Sequence, residues 1–151
     1  MKQDKYQNVI SSTDKLEYQF ESIGPKGKIK MIVQYSQTDN PEIYNLAFGT
    51  AKYDGNLDDV TTNDNKDRNK ILATVAATVY EFTSQYPDKS VFFCGSTKER
   101  TRLYRMAISL NLEELTKSFK IYGILKGIDT FETLVFKNGT DYFGFLIKRK
   151  S

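Results

Sequence analysis

The sequence contains no histidine, no tryptophan and a single cysteine, Cys94, in 151 residues. The absence of histidine excludes the Ser-His-Asp triad and the Cys-His pair. It also excludes any imidazole that could act as a base or bind a metal. One cysteine cannot form an intrachain disulfide, a redox-active Cys-x-x-Cys pair or a cysteine zinc cluster. The sequence therefore predicts no metal and no cofactor, and it favours a protein that is not an enzyme.

Long apolar runs and a strong charge bias are also missing. No window approaches the roughly 18 apolar residues of a membrane span, and the polar segment 1–10 lacks the apolar core of a signal peptide. We therefore expect a cytoplasmic protein with no membrane contact. The net charge of +3 is too small to indicate nucleic-acid binding by itself. Length and composition predict one domain, residues 1–151.

The first half of the chain has the pattern of an antiparallel meander followed by a helix. Apolar residues alternate over 16–23, 28–35 and 42–53, and a Gly-Pro turn joins the first two segments. From residue 68 to 86 the apolar residues recur at helical spacing, and Pro87 ends the pattern. These segments predict three strands and one amphipathic helix.

The second half predicts a central strand, a second helix and further strands. The apolar run Val91–Cys94 is typical of a strand covered on both faces. Ser96 and Glu99 have the spacing of a capping box, which predicts a helix running to about Leu115. A strand over 119–125 follows, and Asn138-Gly139 between alternating segments predicts a hairpin of 132–137 with 140–149. The expected fold is α+β, with a mostly antiparallel twisted sheet of six to seven strands and two main amphipathic helices.

The junction between the strand at residue 91 and the second helix is the best candidate for a binding site. A glycine there allows a tight turn, and the first N–H groups of a helix can hold an anion. On a helical wheel Arg100 falls beside an apolar arc of Leu103, Met106, Ala107 and Leu110. We therefore interpret the junction as an anion site formed by Gly95, Ser96, Thr97 and Arg100. The alternative is a capped helix in which Arg100 pairs with a structural carboxylate.

Three further cations lie on the polar face of the same helix. Lys98, Arg102 and Arg105 could meet nucleic-acid phosphates, and Lys148–Lys150 could extend that surface. A solvated helix face is the alternative interpretation.

The acidic segment that begins at Asp54 resembles the start of an EF-hand loop but lacks its decisive residues. Its sixth position is Asp59, where glycine is required, and its twelfth is Asn65, where glutamate is required. The segment therefore predicts a polar connection without calcium.

The segment from Gly95 through Ser96, Thr97, Arg100 and Thr101-Arg102-Leu103-Tyr104 resembles a family of small uncharacterised bacterial proteins. The resemblance covers most of the chain and is clearest in its second half. It implies a bacterial cytosolic protein and carries no activity.

The order of elements also resembles that of the GCN5-related N-acetyltransferases, over roughly residues 16–123. The acetyl-CoA loop of that family has the pattern Arg/Gln-x-x-Gly-x-Gly/Ala. Here Arg68 and Ala73 keep its first and last positions, and Ile71 replaces the first glycine. The resemblance implies that Arg68 binds pyrophosphate and that Tyr104 is a general acid.

Three hypotheses for the function follow. The first is a non-enzymatic domain that binds nucleic acid or an acidic protein surface through residues 95–105. The second is a degenerate or re-purposed acyltransferase that uses acetyl-CoA. The third is a structural domain that forms a homodimer through pairing of the aromatic segment 142–147.

Overall fold

A computed structural model describes residues 4–52, 54, 57–58 and 65–150 of the protein. Within these residues, three helices pack on one face of a mostly antiparallel sheet. The strands are β1 (Ile10–Ser11), β2 (Glu17–Gly24), β3 (Gly27–Gln37), β4 (Ile43–Ala51), β5 (Leu57–Asp58), β6 (Ser90–Phe93), β7 (Phe119–Lys126), β8 (Phe131–Val135) and β9 (Gly144–Arg149). The helices are α1 (Arg68–Gln85), α2 (Lys98–Leu110) and α3 (Leu112–Ser118).

Eight strands follow the order β1-β2-β3-β4-β6-β9-β7-β8, and β5 pairs with β4. The β4–β6 pair is parallel, because α1 carries the chain back between the two strands, and the other pairs are antiparallel. The predicted α+β class with a mostly antiparallel sheet is confirmed. The predicted numbers of strands and helices were too low, because β1 and β5 have two residues each and the second helix is interrupted.

The core lies between the sheet and the helices, on the face that the alternating pattern predicts. The register places Tyr18 opposite Val33 and Val33 opposite Phe48, and Tyr18 and Val33 are fully buried. The Tyr35 ring of β3 stacks on Phe82 of α1, with ring centroids 4.3 Å apart and planes 3° apart. The meander and the first helix were therefore predicted correctly.

The predicted hairpin around Asn138-Gly139 is wrong. Gly139 does turn the chain, with φ of +86°, but β8 pairs with β7, and β9 runs between β6 and β7. The ring of Tyr142 lies against Gly123 of β7, where an added Cβ would be 2.3 Å from a ring atom. Because β9 lies between β6 and β7, it does not form the hairpin with the preceding segment that the Asn138-Gly139 dipeptide favours.

The position of β9 also rules out edge pairing through the segment 142–147. A strand with a neighbour on each side has no free backbone edge. The edge on this side of the sheet is β8.

The strand β6 is central, as predicted, but its two faces are not both fully covered. Val91 points into the helical face and is buried, whereas Phe92 points to the other face and is half-buried. The helices cover one face, so the continuous apolar run did not indicate two covered faces.

Candidate anion-binding site at the start of helix α2

A tight turn joins β6 to α2. The backbone N–H of Gly95 donates a hydrogen bond to Thr101 Oγ1 at 2.9 Å, and that hydroxyl donates to the Thr97 carbonyl at 3.1 Å. A Cβ on Gly95 would lie 2.4 Å from the backbone nitrogen of Thr101 and 2.5 Å from Cβ of Arg100. No larger residue fits this close approach, so the turn holds the first turn of α2 in a fixed position.

The helix is capped by Thr97, and the predicted capping box of Ser96 and Glu99 is wrong. Thr97 has extended backbone angles, and its Oγ1 accepts a hydrogen bond from the Arg100 backbone N–H at 3.2 Å. The N–H groups of Lys98 and Glu99, the first two of α2, have no acceptor within the helix itself. Because the first helical N–H groups lie at the positive end of the helix dipole, they remain available to an anion.

The three cations of the predicted basic face do not remain together. Lys98 and Arg102 are exposed, and in the described residues neither has a carboxylate within ion-pair distance. Arg105 donates to the Thr140 carbonyl at 3.2 Å and lies 3.5 Å from a carboxylate oxygen of Asp141. Arg105 thus fixes the connection between β8 and β9. Lys98 and Arg102 lie one helical turn apart, and neither forms an ion pair with a described residue.

The segment Lys148–Lys150 does not extend this surface. Lys148 is paired with Ser90 at the beginning of β6, whereas Gly95 follows the end of that strand. Arg149 donates hydrogen bonds to Thr83 Oγ1 at 3.1 Å and to the Tyr80 carbonyl at 2.8 Å. Its side chain therefore anchors α1 to the end of β9.

The buried face of α2 differs from the apolar arc that the sequence predicts. Met106 and Leu110 are 50% and 70% exposed. The buried residues are Thr101, Tyr104 and Ile108. Arg100 is partly buried, one turn before Tyr104 on this buried side.

The predicted single helix to Leu115 ends earlier, at Leu110. The buried side chain of Asn111 donates to the Ala107 carbonyl at 2.8 Å. A second short helix, α3, begins at Leu112.

The parallel strands β4 and β6 separate next to this site. They share three register positions, from Ile43 opposite Ser90 to Asn45 opposite Phe92. Beyond these, β4 continues beside β3 and β6 leads into the Gly95 turn. In open sheets such a separation at the carboxyl ends of parallel strands is where ligands enter.

An apolar cavity of about 80 Å³ lies at this separation, between α1, α2 and the sheet. Tyr104 lines it, and its ring also contacts the rings of Phe48 and Phe93, with centroids 5.5 and 5.8 Å away. The cavity is about half the size of the ~150 Å³ cavity that holds a benzene molecule. It can take a group of a few heavy atoms.

Arg68 is the first residue of α1 and is exposed. Ile71, where the acetyl-CoA pattern has glycine, is a buried core residue with 6% exposure. The segment 68–73 is thus an ordinary first turn of an amphipathic helix.

One family model matches residues 2–150, and its description is a family of unknown function, DUF6934. The chain belongs to DUF6934. No curated protein and no solved structure shows a significant similarity to it. The family membership carries no activity, so any function of this DUF6934 chain must be argued from its own residues.

Sequence reasoning missed a polar cluster at the beginning of α1 in this DUF6934 chain. The hydroxyls of Tyr6 and Ser22 both donate to Asp67 Oδ2, the latter at 2.6 Å. Burial, reinforced by the hydrogen bond to Asp67, raises the pKa of Tyr6. The signal that could have found it is Ser22, a polar residue in the core register of an otherwise apolar alternation. The cluster fastens the N-terminal segment to α1 and β2.

In the described residues of this DUF6934 chain, no helix has the length and hydropathy needed to cross a bilayer. The same residues contain no group of three metal-ligating side chains. The segment that resembles an EF-hand start falls largely on residues 53–64, most of which lie outside the described part.

Proposed function

We propose that this protein acts by binding an anionic partner at the beginning of α2. The observation that carries the proposal is the pair of exposed cations, Lys98 and Arg102, one turn apart beside the open N–H groups of the helix. Arg105, the third cation of the predicted basic face, is engaged with Asp141 and with the Thr140 carbonyl.

The fixed turn at Gly95 supports this assignment. An anion site needs donors that do not have to be ordered when the partner binds. The Gly95–Thr101 hydrogen bond and the Thr97 cap supply that order in advance. Two side-chain charges and two N–H groups suit a phosphate or a carboxylate.

Nucleic-acid phosphates are the partner class to test first, and an acidic protein surface is the alternative. Labelled single-stranded RNA, single-stranded DNA and duplex DNA are titrated with protein at several salt concentrations, with anisotropy as the readout. Contacts to phosphates give an affinity that falls steeply with salt. Binding to none of the three oligonucleotides excludes nucleic acid.

A second candidate function is acyl transfer from acetyl-CoA. It is favoured by Tyr104, which lines the cavity where the two parallel strands separate. The chain order of meander, helix, strand, helix and terminal strands also follows the order of the acetyltransferases that the sequence resembles.

Calorimetric titration with acetyl-CoA tests this candidate. Binding that persists at moderate salt and is lost in Arg68→Ala, but kept in Arg102→Ala, supports acyl transfer over the anion site on α2. No heat of binding in the parent protein rejects it.

A further inference from the structure

The strand β8 is an edge of the sheet with little of the usual protection against pairing. All five of its residues are exposed, and Phe131, Leu134 and Val135 expose 61%, 39% and 69% of their surface. Proteins normally protect an edge with charged side chains, above all lysine, or with proline, a bulge or a very short strand. The sequence Phe-Glu-Thr-Leu-Val has one charged residue, Glu132, and neither lysine nor proline.

The opposite edge of the sheet shows the contrast. There β1 has only two residues, Ile10 and Ser11, which is a common form of protection. Of the two edges in the described part of the chain, β8 is the longer, and three of its five residues are exposed and apolar.

The hydrogen bonds that bracket β8 show which of its backbone groups are not used in the pairing with β7. The Gly127 N–H donates to the Thr130 carbonyl at 2.8 Å, and the Phe136 N–H donates to the Ile121 carbonyl at 3.0 Å. In an antiparallel pair, bonded positions alternate along the strand. The N–H and C=O groups that point away from β7 therefore belong to Phe131, Thr133 and Val135.

We propose that β8 pairs with β8 of a second copy of this chain, antiparallel about a two-fold axis at Thr133. The free groups of the two strands then bond to each other, and Phe131 faces Val135 of the second copy on both sides of the axis. Aromatic and β-branched residues form favourable cross-strand pairs. The sheets of the two copies become one.

The charges of β8 are compatible with antiparallel pairing to β8 of a second copy. Its single charged residue, Glu132, faces Leu134 across the axis, so no like charges meet. The ring of Phe143, 38% exposed and with its centroid 5.4 Å from that of Phe131, extends the apolar surface beside the new pair. Because each copy contributes the same strand, this two-fold contact gives a dimer and does not continue into a larger assembly.

A charge swap at the axis tests the proposal. Thr133→Lys and Thr133→Glu each place like charges opposite each other, whereas an equimolar mixture of the two places opposite charges together. Sedimentation equilibrium is expected to give a dimer for the parent protein, monomers for each variant alone and a dimer for the mixture. The same substitutions at exposed Thr13 are the control and leave the dimer intact.

A cross-link locates the axis independently. In a Cys94→Ala background, Thr133→Cys leaves one cysteine per chain. Opposed residues of a bonded antiparallel pair have Cα atoms about 5.5 Å apart, which suits a disulfide. Mild oxidation is expected to link the two copies through this residue, and Thr13→Cys is not expected to link them.

Three results overturn the proposal: a parent protein that remains monomeric at the highest concentration reached, a dimer that survives both single charge variants, or a parent dimer that Thr133→Cys does not cross-link. The first points to a foreign strand as the occupant of β8. The other two point to a different surface.

Discussion

Tyr18 and Tyr35 meet edge to face in the core, with ring centroids 5.9 Å apart, yet only one of their hydroxyls is hydrogen-bonded. Tyr35 Oη lies 2.8 Å from Thr78 Oγ1. The hydroxyl of Tyr18 is buried and has no partner in the described residues. Two neighbouring tyrosines thus differ in what their hydroxyl contributes to the fold.

This difference predicts opposite results for the same substitution. Tyr35→Phe is expected to lower the free energy of unfolding by about 1 kcal/mol, because it removes one buried hydrogen bond. Tyr18→Phe is expected to leave it unchanged or raise it, since no hydrogen bond is lost. Urea unfolding at neutral pH compares the two. Equal losses in both variants would contradict the assignment of these hydroxyls.

The same tyrosines predict how stability depends on pH. Burial raises the pKa of both Tyr18 and Tyr35, whereas an unfolded tyrosine ionises near pH 10. Below about pH 10 both states hold the proton and the stabilisation is complete. Above that pH the unfolded state loses protons first, so stability falls by up to about 1.4 kcal/mol per pH unit for each buried tyrosine.

Urea midpoints measured below and above pH ~10 check this slope. Tyr35→Phe is expected to reduce it, because one titrating group is removed. A slope that is the same in the parent protein and in the variant would show that Tyr35 does not cause it.

The turn before α2 predicts a large cost for small changes. Gly95→Ala forces a Cβ against the Thr101 backbone nitrogen, and such overpacking costs about 1–3 kcal/mol. Thr101→Val keeps the volume but removes two hydrogen bonds, which is expected to cost about 1–2 kcal/mol. Thermal unfolding measures both.

Thr116→Val is the matched control for this substitution. Among the described residues, the Thr116 hydroxyl bonds only to carbonyls of its own helix, so a smaller loss than for Thr101→Val is expected. A loss in Thr116→Val as large as that in Thr101→Val would show that the Gly95–Thr101 bond has no special role.

The substitutions Arg102→Ala and Arg105→Ala are expected to differ in their effect on the stability of the fold. Arg105→Ala removes the contacts to Thr140 and Asp141 and is expected to lower stability by about 1 kcal/mol. Arg102→Ala is expected to leave stability within about 0.5 kcal/mol of the parent value. Differential scanning calorimetry checks both values, and an equal loss in the two variants would contradict the structural assignment of Arg105.

The sequence predicted the parts of the fold that depend on local periodicity. The alternation in β2 to β4 and the helical spacing of α1 identified the core face, because burial on one side imposes those periods. The hairpin at Asn138-Gly139 was wrong because a local turn preference competed with the burial of β9 between two strands. The outcome depends on pairing between strands that are far apart in the sequence, and a short stretch of sequence does not reveal such pairing.

The candidate site was predicted only in outline. Gly95 and the helix start were found from the strand-to-helix transition. The cap was placed one residue early, because Ser96 and Thr97 are both good cap residues. The buried face of α2 was misplaced because the apolar residues of this helix span a broad arc, so contacts with Phe48 and Phe93 decide which part of that arc is buried. The Arg105–Asp141 pair has no local sequence pattern, and the signal for the Tyr6–Asp67 cluster is the polar residue Ser22 in the core register of β2.

The most direct test of the account is the salt dependence of oligonucleotide binding in Arg102→Ala. Anisotropy titrations give the slope of log affinity against log salt for the parent, for Arg102→Ala and for Lys117→Ala, which removes one exposed charge at the end of α3. The account predicts that the slope falls by about one unit in Arg102→Ala and is unchanged in Lys117→Ala. An identical slope in all three proteins, or no binding at any salt concentration, would contradict phosphate binding at the beginning of α2.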